Sequence, residues 1–380
     1  MTLLDAAWAF RPRILADREC IEAGRRLPDD LARDLARAGF FRLSVPEDYG
    51  GLDLSPLEAL EVYEELARAD ASVAWCVMNG NANWTTPQLS KDVAHSIFAD
   101  PNVIVANSTR PSGKAVVVDG GYRMSGRWSL VSGCEMSTWL ILMCIVYDND
   151  RPRLTLAGTP ESRFMLCPTA DCEIIDTWTA GGLRGTGSHD VVARDLFIPA
   201  LRGSFFTDPL VLGHPRYRMP ASSRVISGLS VLALGIARGA IEALLGLAAD
   251  KRHERTGQSM REDRGAQSRL AHAETLVGSA RAFLFDTVGR LWDTVLAGRE
   301  PTIGERAAVR MASCHAVNSG AQAVDLIYLT GGATSLYASC PLERAFRDVH
   351  AITQHIAVHP RVMETAGRVL FGLEPDVPTF

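Results

Sequence analysis

The spacing of apolar residues changes twice along this chain and divides it into three stretches. From Ala6 to about Ala99 apolar positions return at helical intervals: Leu31, Leu35 and Ala38 share a face that ends at Gly39, and Leu57 to Ala69 repeats the pattern before Asp70. Between them Pro46-Glu47-Asp48-Tyr49-Gly50-Gly51 reads as a loop. From Val103 to about Pro199 the pattern becomes short runs rich in Val, Ile, Leu and Trp, separated by turns at Asp119-Gly120-Gly121, Asp148-Asn149-Asp150 and Gly181-Gly182. From Ala221 long amphipathic helices return, interrupted at Gly257, at Gly298 to Gly304 and at Gly331-Gly332. The expected fold class is α+β, with an N-terminal helical domain over residues 1–102, a central β domain over 103–205 and a C-terminal helical domain over 206–380.

Composition narrows the function classes. At 380 residues the chain can bury a large core, and a formal charge of -5 carries no basic excess that would point to nucleic acid. The longest apolar run, Trp139 to Tyr147, is far shorter than the roughly 20 residues that span a bilayer, so it predicts a buried strand and no membrane partner. The N-terminus (Met1-Thr2-Leu3-Leu4-Asp5-Ala6) lacks the basic-then-apolar layout of a secretory signal, and a cytoplasmic location is expected. The eight cysteines include no Cys-x-x-Cys pair and are expected to be reduced core thiols. His350, His355 and His359, five and four residues apart, do not share one helical face, so no metal site is expected.

The motif that carries most information is Pro341-Leu342-Glu343-Arg344-Ala345-Phe346-Arg347-Asp348-Val349-His350-Ala351-Ile352-Thr353-Gln354-His355. It resembles the flavin-facing C-terminal segment of acyl-CoA dehydrogenases, where a catalytic glutamate follows Ile-Thr-Gln. Here Ile356 and Ala357 occupy the places that glutamate could take, and no carboxylate appears until Glu364. A histidine beside that gap is similar to the flavin-dependent monooxygenases built on the same fold. Taken alone, His355 would read as a packed or surface residue; the resemblance makes it the candidate that deprotonates or orients a substrate, with a pKa near operating pH.

Other segments extend the resemblance over nearly the whole chain. Phe41-Arg42-Leu43-Ser44-Val45-Pro46-Glu47-Asp48-Tyr49-Gly50-Gly51 is similar to the family's N-terminal signature, and is equally a plain interhelical loop. Gly126-Arg127-Trp128-Ser129-Leu130-Val131-Ser132-Gly133 resembles the strand lying against the isoalloxazine ring, which assigns Leu130 and Ser132 to the cofactor and Ser132 also to catalysis at flavin N5. The other reading of Ser132 is a serine closing a strand at a turn. Asn107, at the entry to the β region, is implied to line the oxygen and substrate pocket, against the reading of an ordinary turn asparagine. The stretch from Asp176 to Asp190 resembles a loop typical of the monooxygenase branch; its glycines match neither a phosphate loop nor Rossmann spacing. Arg255 and Gln267 resemble the pair that reaches a neighbouring subunit's FAD, with a solvated basic run from Lys251 to Arg255 as the alternative. Thr330, Gly331 and Gly332 would complete that distal cofactor site.

The resemblance implies an acyl-CoA dehydrogenase-like fold with a C-terminal four-helix bundle and a homo-oligomer, expected to be a tetramer. It implies the oxygenase component of a two-component system, taking reduced flavin, FAD ahead of FMN, from a separate NAD(P)H-dependent reductase. With O2 it would hydroxylate a phenol- or indole-type small molecule through a flavin C4a-hydroperoxide. The alternatives are an acyl-CoA dehydrogenase or oxidase, an N-hydroxylating or S-oxygenating member of the fold, and a catalytically silent flavin-binding or scaffold protein.

Overall fold

The computed structural model describes residues 2–81, 86–252 and 256–377. Its first part is helical: α1 (Leu3–Gly24), α2 (Asp29–Arg37), α3 (Pro56–Ala69), α4 (Ala71–Gly80) and α5 (Lys91–Phe98). Capping boxes open two of these, Thr2 with Asp5 on α1 and Ser55 with Glu58 on α3, each satisfying orphan amides reciprocally. Asp70, which the sequence marks as the end of one helix, is also the start of the next. Its carboxylate accepts hydrogen bonds from Ser72 N at 2.9 Å and Val73 N at 3.1 Å, so α4 follows α3 with no loop between them.

The middle of the chain forms β1 (Val105–Val118), β2 (Gly121–Val131), β3 (Trp139–Asp148), β4 (Arg151–Pro152), β5 (Ser162–Pro168), β6 (Glu173–Ile175), β7 (His189–Pro199) and β8 (Gly203–Ser204). The sheet order is β6-β7-β2-β1-β3-β5-β8, with β4 paired on β3; β1 and β3 run parallel and the other pairs antiparallel. Two of the predicted turns carry the left-handed residues that such turns need, Gly120 at φ 74° and Asn149 at φ 57°. The apolar run from Trp139 is the largely buried strand β3. Trp128 lies fully buried in the sheet core and donates from Nε1 to Met143 O at 2.7 Å.

The last part comprises α6 (Ala221–Asp250), α7 (Arg264–Leu296), α8 (Ile303–Gly331), α9 (Pro341–Thr353) and α10 (Pro360–Leu370). Helices α6 to α9 pack as a bundle, α10 lies on α8, and α3 packs along α6, so one apolar core joins the first and last helical parts. By length and composition α6 could cross a membrane, which the search for contiguous apolar runs missed because serines and glycines interrupt it. Of its most apolar window, with mean hydropathy 1.8, 61% is buried inside the protein, the pattern of a core helix.

Helix α9 fastens the three parts together. Arg344 Nη1 lies 3.3 Å from Asp70 Oδ2, bracing the cap of α4. Arg347 donates to Gly181 O, and Asp348 Oδ1 accepts from Leu183 N at 2.6 Å. Gly182 must be glycine here, since a Cβ would lie 2.2 Å from Arg347 O. Burial, with Asp70 as the next contributor, raises the Asp348 carboxyl to about 7. In the unfolded chain it would titrate near ~4, so between those values the folded protein holds a proton that the unfolded chain has lost. Stability from this group therefore falls as pH rises through that window. Asp348→Asn keeps the acceptor oxygen and never ionises. The stability advantage of wild type over Asp348→Asn should shrink by a few kcal/mol between about pH 4 and pH 7, as read from urea unfolding at each pH; a constant difference would show that the carboxyl ionises normally.

Candidate active site

Four residues apart on one face of α4, Trp75 and Asn79 gather segments distant in sequence. Trp75 Nε1 donates to Ser132 Oγ at 3.0 Å, and Asn79 Nδ2 donates to Ser132 O at 3.0 Å. Asn107 Nδ2 donates to Asn79 O at 3.0 Å. The Trp75 ring meets His355 edge-on, with centroids 5.7 Å apart at 70°. Thus Asn107, Ser132 and His355 are brought into one cluster, and the residues that join them are two the sequence reading had not named. Asn107 is on strand β1, not in a turn, and is buried at its inner end.

Ser132 ends a chain of hydroxyl groups whose hydrogen directions can be deduced. Thr186 Oγ1 is 2.8 Å from Leu183 O and 2.6 Å from Ser188 Oγ, which is 2.7 Å from Ser132 Oγ. Each hydroxyl has one hydrogen, and a carbonyl has none. Only one assignment places a hydrogen in every contact: Thr186 donates to Leu183 O, Ser188 to Thr186, and Ser132 to Ser188. Ser132 also accepts from Trp75, so a single lone pair remains for a ligand. The site therefore presents an acceptor. Oxidised flavin has no hydrogen on N5, whereas fully reduced flavin carries one and can donate to this acceptor.

His355 is half-buried just beyond α9, at the cap of the short turn Ile356–Val358, and not within a helix. Its Nδ1 accepts from Ala357 N at 3.2 Å. In the neutral ring that commitment puts the hydrogen on Nε2, making the ring a donor at its other edge. Burial, and then the charge of nearby Arg110, lower its pKa to about 4. The expected pKa near neutrality is not found. The ring is neutral across the ordinary working range, and its geometry suits donating to a substrate oxygen better than removing a proton.

The remaining candidates divide. Leu130, the residue before Val131 and Ser132, is 48% exposed and has φ 60°, a left-handed conformation that costs a branched residue roughly 1 kcal/mol. An open apolar side chain held under strain beside a hydroxyl acceptor fits the face of a flavin ring. Thr330, Gly331 and Gly332 close α8 elsewhere in the fold. Thr330 Oγ1 accepts from Arg269 Nε at 2.8 Å, and Lys251 Nζ donates to Gly331 O at 2.5 Å. Gln267, near the start of α7, is exposed and donates to Arg261 O at 2.8 Å. Among the described residues no hydrogen bond or ion pair joins this second group to the Ser132 cluster, and Arg255 lies outside them. The overlooked contributors left faint signals: Asn79 is a polar residue ending the apolar run of α4, while Thr186 and Ser188 sit within the glycine-rich stretch already singled out.

Both the sequence and the fold match known proteins. The profile for "Acyl-CoA dehydrogenase, N-terminal domain" matches residues 6–91, and that for "Acyl-CoA dehydrogenase, C-terminal domain" matches residues 227–360. The chain is 31% identical to indole-3-acetate monooxygenase of Pseudomonas putida over 357 residues, covering 92% of this chain and 89% of that protein. It is 31% identical to the flavin-dependent monooxygenase oxygenase subunit HsaA of Rhodococcus jostii (strain RHA1), covering 96% and 97% of the two chains. Among solved structures, XiaF from Streptomyces sp. in complex with FADH2 and glycerol superposes with a TM-score of 0.90 at 26% identity, covering 100% of this chain and 97% of the other.

The hydroxyl chain predicts a redox preference. Ser188→Ala removes the acceptor of the Ser132 hydrogen, which then turns toward the ligand and suits the bare N5 of oxidised flavin. Oxidised flavin should bind Ser188→Ala several-fold more tightly relative to reduced flavin than it binds wild type, measured by anaerobic titration of each state. An unchanged ratio would mean that Ser132 does not set the preference.

Proposed function

Because the chain belongs to the acyl-CoA dehydrogenase family and is a flavin-dependent monooxygenase within it, we propose that it is the oxygenase component of a two-component system that hydroxylates a phenol- or indole-type ring. The observation that carries this reading is the pairing of a committed acceptor at Ser132 with a neutral donor at His355, both in contact with Trp75. Bound reduced flavin supplies the two electrons that activate dioxygen, one oxygen atom going to substrate and the other to water. Every other requirement falls on the protein.

Ser132 would accept a hydrogen bond from the N5 hydrogen of a bound reduced flavin and so favour its retention. His355 Nε2–H would donate to the hydroxyl oxygen of a phenol, or to an equivalent polar acceptor, and so orient the ring. Asn107 is tied to Asn79 through its amide nitrogen, and its amide oxygen would be the atom left to meet a ligand. A dehydrogenase reading lacks its base. No carboxylate stands at residues 355–357 or at 219–224.

The same reading includes FAD as the flavin, delivered by a separate NAD(P)H-dependent reductase in the cytoplasm. Arg255, Gln267 and Thr330 to Gly332 would serve the distal part of a cofactor held by a neighbouring copy in a homotetramer. The exposed apolar side chains of Leu329, Leu336 and Tyr337, each 67–69% accessible and close to that group in sequence, support an assembly that covers them.

With reductase, NADH and oxygen, wild type should form oxygenated product from members of a phenol and indole panel. His355→Ala should retain flavin binding and NADH consumption but divert at least about 90% of turnover to hydrogen peroxide. His355→Gln, which restores an N–H donor without a base, should recover part of the coupling. In the wild type, product formation should persist well below pH 6, because the imidazole gains its second proton only near pH 4. Equal loss in the Ala and Gln variants, or an acid limb near pH 6.5, would make His355 a proton acceptor instead.

A further inference from the structure

We propose that the cavity between α3, α4 and α6 receives the organic substrate and that Arg224 binds a carboxylate on it, so that the substrate is an aromatic or heteroaromatic acid. This rests on the oxygenase reading above and narrows its substrate class.

The cavity is partly open to solvent, with about 70 Å³ of interior space, room for the side arm of a small molecule. Leu60, Tyr63, Met78 and Val225 give it mostly apolar walls. Helix α4 is a wall shared with the candidate site: Met78 and Asn81 line the cavity, while Trp75 and Asn79 hold His355 and Ser132. At ~1.5 Å of rise per residue, Met78 is only about 5 Å along the helix axis from Trp75. A ring beside Trp75 with a short side arm can therefore reach into the cavity.

Two arginines also line it, and their charges are met differently. Arg216 is buried with Asp53 3.4 Å from its Nε and donates to Leu43 O at 3.3 Å. Asp53 is also engaged by His214 at 2.7 Å. Among the described residues no carboxylate pairs with Arg224. Its guanidinium lies 5.9 Å from the centre of the Tyr217 ring, and its Nε is buried without a hydrogen-bond partner. Burial lowers its pKa to about 10, which leaves it cationic at neutral pH.

A cation facing apolar walls without a counter-ion is costly, and a bound anion offsets that cost. The first turn of α6, where Arg224 sits and where Pro220 offers no side-chain cap, adds the positive end of a long helix. One planar fork matches the two coplanar oxygens of a carboxylate.

The test is calorimetric binding to flavin-loaded protein of two acid and amide pairs, 4-hydroxyphenylacetate with 4-hydroxyphenylacetamide and indole-3-acetate with indole-3-acetamide. At least one acid should bind more than about tenfold more tightly than its amide, as a charge-assisted contact implies. Arg224→Met should abolish that difference while leaving amide binding nearly unchanged, and Arg224→Lys should keep part of it. Equal binding of acid and amide, no binding of either acid, or equal weakening of both by Arg224→Met overturns the proposal. Reductase-coupled turnover of the same compounds separates this from the underlying reading: oxygenation without acid preference sinks only the carboxylate site. Acid-selective binding with no oxygenation of any compound sinks the oxygenase assignment and leaves the anion site standing.

Discussion

The direction of one hydrogen-bond chain governs what this site can hold. It begins at the carbonyl of Leu183, which can only accept, and passes through Thr186 and Ser188 to Ser132. Leu183 is itself fixed from the other side, its amide donating to Asp348 on α9. The same helix braces the cap of α4 through Arg344 and Asp70, and ends beside His355. A sheet loop, a bundle helix and an N-terminal helix are thus tied at single points. Each tie sets the orientation of a group that faces the ligand.

Burial gives those groups protonation states that water would not. Asp348 holds its proton to about pH 7 because it is enclosed and near Asp70, while His355 sheds its second proton near pH 4 because it is enclosed near Arg110. Around neutrality the site therefore contains a neutral imidazole and a spent serine hydrogen. The charge of Arg224 lies one wall away. That separation leaves it free to position a distant part of the substrate.

Much of this was legible in the sequence, for reasons that differ by residue. The three-part texture and the turns at Gly120 and Asn149 followed from periodicity and from the residues that tolerate left-handed backbone. The motif ending at His355 pointed to its segment because its pattern keeps the family's Arg-Asp pair and lacks its carboxylate. Trp75 and Asn79 stayed hidden because an i, i+4 pair inside a mostly apolar helix looks like core until a partner strand is placed against it. The tautomer of His355 depends on the amide of Ala357, and the isolation of Arg224 depends on where Asp53 points. Neither can be read from spacing. The apolar character of α6 escaped a search for unbroken runs because its serines and glycines sit at helix contacts, as at Gly235 against Glu64.

The most direct test is a crystal structure of the protein reduced under anaerobic conditions with flavin bound. Flavin N5 should lie about 3 Å from Ser132 Oγ, with the contacts of Ser132 to Trp75 and Ser188 intact and Leu130 against the ring. A flavin whose N5 is turned away from Ser132, or a Ser132 that abandons Ser188 to donate toward N5, would contradict this arrangement.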